Sequence, residues 1–68
     1  MKETTCKFGI NARTARRAKD MTQADLAKVT GLTENAIHLI ERRKQLPSVE
    51  TAHKIATALG TSVDELMK

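Results

Sequence analysis

The sequence predicts a small all-α domain built from five short helices. Its 68 residues include nine alanines but a single aromatic side chain, Phe8. This composition favours helix formers over the β-branched and aromatic residues typical of strands. Apolar residues recur at helical spacing, and Ser, Thr and Gly stand where helices are expected to begin and end. A chain of this length is expected to hold one core and one domain.

The first helix is predicted over about Ile10–Lys19. Phe8, Ala12 and Ala15 are spaced i, i+4 and i+7, which places them on one apolar face. Residues 1–7 lack such a pattern. We therefore expect a flexible N-terminal tail over residues 1–7 and a folded domain over residues 8–68.

The second and third helices are separated by three residues. Thr22 is the expected N-cap of a helix over about Gln23–Thr30, with Asp25 near the first free amides, and Gly31 ends it. Thr33 then caps a helix over about Glu34–Arg42. A glycine-containing turn of this length is typical of a helix-turn-helix, although a generic helical hairpin has the same spacing.

Two more helices follow Pro47. Ser48 is the expected N-cap of a helix over about Val49–Leu59, which has the cleanest apolar stripe in the chain and ends at Gly60. Ser62 and Glu65 are spaced as a capping box for a last short helix. The apolar side of that helix is expected to carry Val63, Leu66 and Met67.

Basic side chains concentrate in the first two thirds of the chain. The whole chain carries a net charge of +4, but residues 1–48 hold ten basic and five acidic side chains, a net charge of +5. Residues 49–68 have a net charge of −1. This asymmetry favours a polyanionic partner such as nucleic acid over a membrane surface, although ordinary solubility charge would also account for it.

Several other classes of function are disfavoured. The single cysteine, Cys6, cannot form an internal disulfide, which fits a reducing cytosol. No segment has the length of a membrane span or the pattern of a signal peptide. His38 and His53 have no partners at metal-ligand spacing, and no activated nucleophile or phosphate loop is evident. We therefore expect no enzyme activity, cofactor or metal.

Three segments carry a resemblance to a known family. TQADLAKVTGLTENAIHLIE resembles the helix-turn-helix of phage repressors and Cro proteins. LPSVETAHKIATALGTSVDEL resembles that family's Pro, Ser, apolar, Glu, Thr segment and its Ala-Leu-Gly helix end, and FGINARTARRAKDM resembles its first helix. The match covers about residues 8–67. It implies a compact, lambda-repressor-like, five-helix domain that binds duplex DNA.

The resemblance also implies roles for individual residues. Helix three would be the recognition helix in the major groove, where the residues expected to contact bases are Glu34, Asn35, His38 and Leu39. The residues expected to contact phosphates are Gln23, Arg16, Arg42, Arg43 and Lys44. Arg16 and Glu41 match positions that form a salt bridge between helices in many relatives.

The chemistry of these side chains leaves some alternatives open. Asn35 can pair with adenine through two hydrogen bonds. Leu39 is either a contact to a thymine methyl or an isolated surface leucine. Glu34 either accepts from a cytosine amino group or complements the dipole of helix three. Arg43 stands where the family usually carries Gly, so the loop is either strained there or has a different turn with a stronger phosphate clamp.

The sequence therefore predicts a repressor-like transcriptional regulator that binds duplex DNA sequence-specifically in the cytoplasm, associated with the nucleoid. The alternative is a protein-interaction module of the same fold, antitoxin-like or a scaffold. The last helix is too short to bury a stable interface, so we expect a weak homodimer or one formed on DNA. We expect neither a membrane nor a small-molecule partner.

Overall fold

The computed structural model describes residues 3–42 and 45–68, with side chains from residue 7 onward within those ranges. It confirms the predicted five-helix, all-α fold. The helices are α1 (Glu3–Ala18), α2 (Gln23–Thr30), α3 (Glu34–Glu41), α4 (Val49–Ala58) and α5 (Val63–Met67). Within the described part of the chain, none of the helices combines the length and apolar character needed to cross a bilayer.

The first helix starts earlier than the sequence pattern predicts. It begins at Glu3 rather than near Ile10, so residues 3–7 are helical, while residues 1 and 2 lie outside the described ranges. Phe8 and Gly9 are buried. Their amides need carbonyl acceptors four residues upstream, and buried amides without acceptors are costly. Burial of Phe8 therefore extends the helix into a segment with no apolar pattern of its own.

The ends of α2 follow the predicted local chemistry. The Thr22 hydroxyl accepts from the Asp25 amide at 3.0 Å, and the Thr22 amide donates to the Asp25 carboxylate at 3.0 Å. The pKa of Asp25 is lowered from its usual 3.8. The main cause is the hydrogen bond from the Thr22 backbone, and the second is a hydrogen bond with the Thr22 side chain. Gly31 ends α2 with φ of 75°, a left-handed conformation that glycine adopts without a steric penalty.

The last helix departs from the predicted capping box. The Ser62 hydroxyl accepts from the Glu65 amide at 3.1 Å, as expected of an N-cap. The Glu65 carboxylate instead accepts from Lys68 Nζ at 3.1 Å, so the reciprocal half of the box is not formed. The competing partner is an ammonium group three residues later on the same exposed face. Such exposed ion pairs contribute little to stability.

The core lies where the helices cross, and α1 packs against α3 and α5 while α2 packs against α3 and α4. Its buried apolar members are Phe8, Ala12, Leu26, Ala27, Ile37, Ile40, Ala52, Ile55, Ala56, Leu59 and Leu66. These include Phe8, Ala12 and Leu66, which the sequence pattern placed on the apolar faces of their helices. Ala15 and Val63 are partly buried, and Met67 is 41% exposed. The core thus fixes the inner face of every helix, including that of α3.

Candidate nucleic-acid interface

The outward face of α3 is formed by the residues left over after the core is packed. Ile37 and Ile40 point into the core, together with Glu41. Asn35, His38 and Arg42 are exposed, and Leu39 is half-buried. At 100° per residue these four side chains share one side of the helix. This side is lined by an amide, an imidazole, an apolar group and a guanidinium.

Glu34 is exposed in the first turn of α3. It lies at one edge of the face shared by Asn35, His38 and Leu39, because at 100° per residue its direction differs from that of His38 by about 40°, towards the buried Glu41. A carboxylate in the first turn of a helix interacts favourably with the helix dipole. The helix dipole therefore favours Glu34 at this position whether or not its side chain also contacts a base.

A buried ion pair joins α1 to the end of α3. Arg16 Nε donates to Glu41 Oε2 at 2.8 Å, and Arg16 Nη2 donates to Glu41 Oε1 at 3.0 Å. The two side chains are 9% and 2% exposed. The two parallel bonds form the fork-like geometry that arginine makes with carboxylates, which fixes orientation as well as distance. The structure thus brings together the two residues expected to form a salt bridge.

The Arg16 guanidinium has a further partner in the loop after α1. Besides its two bonds to Glu41, the guanidinium donates from Nη1 to the backbone carbonyl of Met21 at 2.6 Å. With three nitrogens committed and 9% of the side chain exposed, the group holds the loop after α1 and the end of α3. The guanidinium has five N–H donors, more than these three bonds use, and the phosphate contact expected of Arg16 stays a prediction.

Gln23 has a partner that the sequence did not indicate. Its Nε2 donates to Glu41 Oε1 at 3.1 Å, and the side chain is half-buried. The carboxylate of Glu41 therefore accepts from both α1 and the first residue of α2. Gln23 and Glu41 are 18 positions apart, and no spacing rule links residues on crossing helices. The second amide hydrogen of Gln23 is available to another acceptor.

Gln23 and Arg42 lie near the same end of α3. Gln23 contacts Glu41, and Arg42 follows it as the C-cap, with an exposed side chain and a backbone amide that donates to the His38 carbonyl at 2.9 Å. The positively charged segment continues with Arg43 and Lys44, which lie outside the described residues. Both alternatives for Arg43, a strained loop and a different turn, therefore concern residues outside the described ranges.

The described side chains hold no group of three or more His, Cys, Asp or Glu residues that could bind a metal ion. His38 is exposed on α3 and His53 is exposed on α4. The two residues thus lie on different helices.

Comparison with known proteins identifies the family. A family model described as helix-turn-helix matches residues 13–66. The chain belongs to the helix-turn-helix family. Its relatives include an uncharacterized HTH-type transcriptional regulator from Methanocaldococcus jannaschii. That protein is 37% identical over 51 residues, which make up 75% of this chain and 77% of the relative.

Two solved structures support the same assignment. The restriction-modification controller protein C.AhdI from Aeromonas hydrophila superimposes with a TM-score of 0.86 and 33% identity, covering 97% of this helix-turn-helix protein and 98% of C.AhdI. The P22 c2 repressor, crystallised in complex with a synthetic operator, gives a TM-score of 0.85 and 33% identity. The match covers 90% of this chain and 92% of the repressor.

Proposed function

We propose that this DNA-binding transcriptional regulator of the helix-turn-helix family reads a specific duplex sequence with the outward face of α3. The observation that carries the proposal is the contrast between the two faces of that helix. Its inner face is held by the core and by the buried Glu41, whereas Asn35, His38 and Leu39 share the outer face. A rigidly held helix with free polar side chains fits the major groove, where each base pair has a distinct pattern of donors and acceptors.

Within this proposal each outward residue of α3 has a different partner. Asn35 pairs with an adenine through two hydrogen bonds, and His38 donates to a guanine or accepts from an amino group. Leu39 contacts a thymine methyl, which is supported by its partial exposure beside polar neighbours. Glu34 either accepts from a cytosine amino group or acts through the helix dipole alone. These contacts supply sequence preference.

Phosphate contacts would supply most of the affinity. We assign them to Gln23, Arg42, Arg43 and Lys44. The free amide hydrogen of Gln23 and the exposed guanidinium of Arg42 lie near the same end of α3, which supports a shared backbone contact. Arg16 orients Glu41 and Gln23, and in this proposal its remaining N–H donors also contact a phosphate. Cationic side chains that bind phosphates release counterions from the DNA. The affinity is therefore expected to fall as the salt concentration rises.

The proposal is tested by separating base contacts from phosphate contacts. A preferred duplex is first obtained by in-vitro selection, and each variant is then titrated against that duplex and a scrambled one at several salt concentrations. Asn35→Ala is expected to cost ~1–3 kcal/mol on the preferred duplex and much less on the scrambled one. Arg42→Ala and Lys44→Ala should weaken both duplexes and lower the salt slope by about one unit.

Lys54→Ala is the matched control because it removes an exposed positive charge from α4, outside the helix-turn-helix. It should leave the preference for the selected duplex unchanged. It should also lower the salt slope less than Arg42→Ala or Lys44→Ala does. If Asn35→Ala and Arg42→Ala weakened both duplexes by the same factor, α3 would not be the reading element. That result would favour the protein-interaction module of the same fold.

We further propose that two copies pair weakly, and chiefly on DNA, through a small apolar surface beside α5. Leu46 and Val49 are 61% and 77% exposed and line a shallow depression together with Met67. Leu66, on the same apolar side of α5 as Met67, is buried in the core and so is not part of this surface. Helix-turn-helix dimers bind two half-sites about one helical turn apart, and in this proposal pairing through this surface brings two copies onto such half-sites.

The few side chains on this surface set the expected strength of pairing. A stable interface buries about 1,200–2,000 Å² in total, more than three exposed apolar side chains on each copy provide. Sedimentation should show a monomer at micromolar concentration and two copies on a duplex with two half-sites. Val49→Glu should abolish the second binding event but leave the first unchanged. A tight dimer below micromolar concentration without DNA would contradict this proposal.

We also propose that the protein acts in the cytoplasm in association with the nucleoid, as a repressor-like regulator without enzymatic activity. The basic charge of residues 1–48 supports association with DNA. Arg42 above all would carry this association. The salt titrations described above test this residue.

A further inference from the structure

The backbone of α1 lies directly against the backbone of α3 at Gly9. This glycine is buried, and a Cβ built on it would overlap the carbonyl oxygen of Ile40. The same Cβ would lie 3.2 Å from the Ile40 carbonyl carbon and 3.4 Å from the Glu41 Cα. All three neighbours are backbone atoms, which cannot rotate away as a side chain can. Any side chain at position 9 would therefore force the two helices apart.

The contact falls on the last turn of the recognition helix. Carbonyls in the last turn of a helix lack amide partners four residues further on, and their remaining acceptor capacity has to be used by other groups. A Cα hydrogen of Gly9 points at the Ile40 carbonyl, which is the arrangement of a weak Cα–H···O hydrogen bond. Gly9 thus covers an acceptor at the end of α3 and brings α1 as close to it as backbones can approach.

A second contact between the same two helices lies two turns along α1. Arg16 is seven residues after Gly9, about 10.5 Å at 1.5 Å per residue. Its guanidinium holds Glu41, the residue next to Ile40, at 2.8 Å. The beginning of α3 is fixed separately by its short turn from α2. The C-terminal end of the helix is therefore held between the Gly9 backbone and the Arg16 side chain.

We propose that Gly9 is a positioning residue for DNA recognition, which sets how the C-terminal half of α3 is presented to the bases. This inference rests on the proposed function of α3 in DNA reading. A methyl group at position 9 displaces the last turn of α3, where Leu39 lies, more than the first turn, where Asn35 lies. Base contacts depend on hydrogen-bond and van der Waals distances that tolerate only a few tenths of an ångström. Sequence preference therefore changes unevenly along the site.

The experiment compares Gly9→Ala with the wild-type chain on the preferred and scrambled duplexes, with folding monitored by circular dichroism. Gly9→Ala is expected to bind the preferred duplex about tenfold more weakly, the equivalent of roughly one base contact, and the scrambled duplex almost unchanged. Repeated in-vitro selection should recover a motif altered at the base pairs that depend on Leu39 and retained at those that depend on Asn35.

Ala56→Gly is the matched control. It removes a buried methyl group and introduces a helical glycine in α4, away from the contact between α1 and α3. It should lower the melting temperature without changing the ratio of affinities for the two duplexes. A folded Gly9→Ala with the wild-type ratio, or an equal loss of ratio in Ala56→Gly, would overturn the inference. A wild-type chain that does not discriminate between duplexes would instead overturn the proposed function.

If Gly9→Ala is unfolded in ordinary buffer, both chains are compared at low temperature with trimethylamine N-oxide, which favours the compact state. A refolded Gly9→Ala with reduced discrimination would support the inference. A variant that stays unfolded there would overturn it, because Gly9 would then be required for folding and not for the placement of α3.

Discussion

The two faces of α3 differ in how their polar groups are used. On the inner side, the carboxylate of Glu41 is 2% exposed and accepts three hydrogen bonds, two from Arg16 and one from Gln23. On the outer side, Asn35 and His38 are exposed. One helix of eight residues thus carries a buried carboxylate with three donors on one side and side chains open to a partner on the other.

This difference separates stability from recognition. Removing Glu41 leaves the buried guanidinium of Arg16 without its counter-charge, which costs folding free energy. Removing an outer side chain leaves the fold intact, since surface substitutions away from special features usually change stability by less than about 0.5 kcal/mol. Variants of the inner face should therefore change the melting temperature and DNA affinity together. Variants of the outer face should change affinity alone.

The largest effect is expected for Glu41→Ala. Breaking one side of a buried ion pair costs ~3–5 kcal/mol because the remaining charge is uncompensated. The variant also removes the acceptor of Gln23, so DNA affinity should fall with stability. Glu34→Ala is the matched control, because it removes the same group from the exposed first turn of α3 and should cost at most ~1 kcal/mol.

Thermal denaturation and duplex titration of both glutamate variants test this contrast. Comparable melting temperatures for Glu41→Ala and Glu34→Ala would show that the buried pair is not what holds the inner face. Unchanged melting and unchanged affinity in Glu41→Ala would remove the ion pair from both roles.

An intermediate effect is expected for Leu39→Ala on the outer face. Loss of an apolar contact to one methyl group should weaken binding to the preferred duplex by about 1 kcal/mol. The free energy of unfolding of the free protein should stay unchanged to within ~1 kcal/mol. Replacing the facing thymine by uracil removes the methyl from the DNA side. The cost of that replacement should be smaller in Leu39→Ala than in the wild-type chain, as a double-mutant cycle measures. Equal costs in the two proteins would identify Leu39 as a surface leucine.

The smallest effect is expected at the cap of α2, which belongs to neither face of α3. Hydrogen bonds from Thr22 lower the pKa of Asp25 in the folded state, so the ionised carboxylate stabilises the fold. That contribution is present above the ordinary value of 3.8 and is lost as the pH falls through the lowered pKa. The difference in melting temperature between the wild-type chain and Asp25→Asn should therefore shrink below pH 3.8. A difference that is constant with pH would refute this account, and DNA preference should be unchanged throughout.

Local physics allowed much of the fold to be predicted from the sequence. Thr22, Thr33 and Ser48 cap helices because their hydroxyls reach an amide three residues later, an interaction within one turn. Apolar residues at helical spacing identify the inner face of each helix, and the remaining residues form its outer face. The outward direction of Asn35 and His38 follows from the same periodicity.

The features that only the tertiary structure decided depend on how the helices cross. The early start of α1 supplies acceptors to the buried amides of Phe8 and Gly9, although residues 3–7 have no apolar pattern of their own. The bond from Gln23 to Glu41 and the ion pair between Arg16 and Glu41 join residues 18 and 25 positions apart. Gly9 meets Ile40 across 31 positions, through backbone atoms alone. Sequence spacing governs neighbours within a helix, whereas these contacts exist only once α1, α2 and α3 are packed at their actual angles and distances.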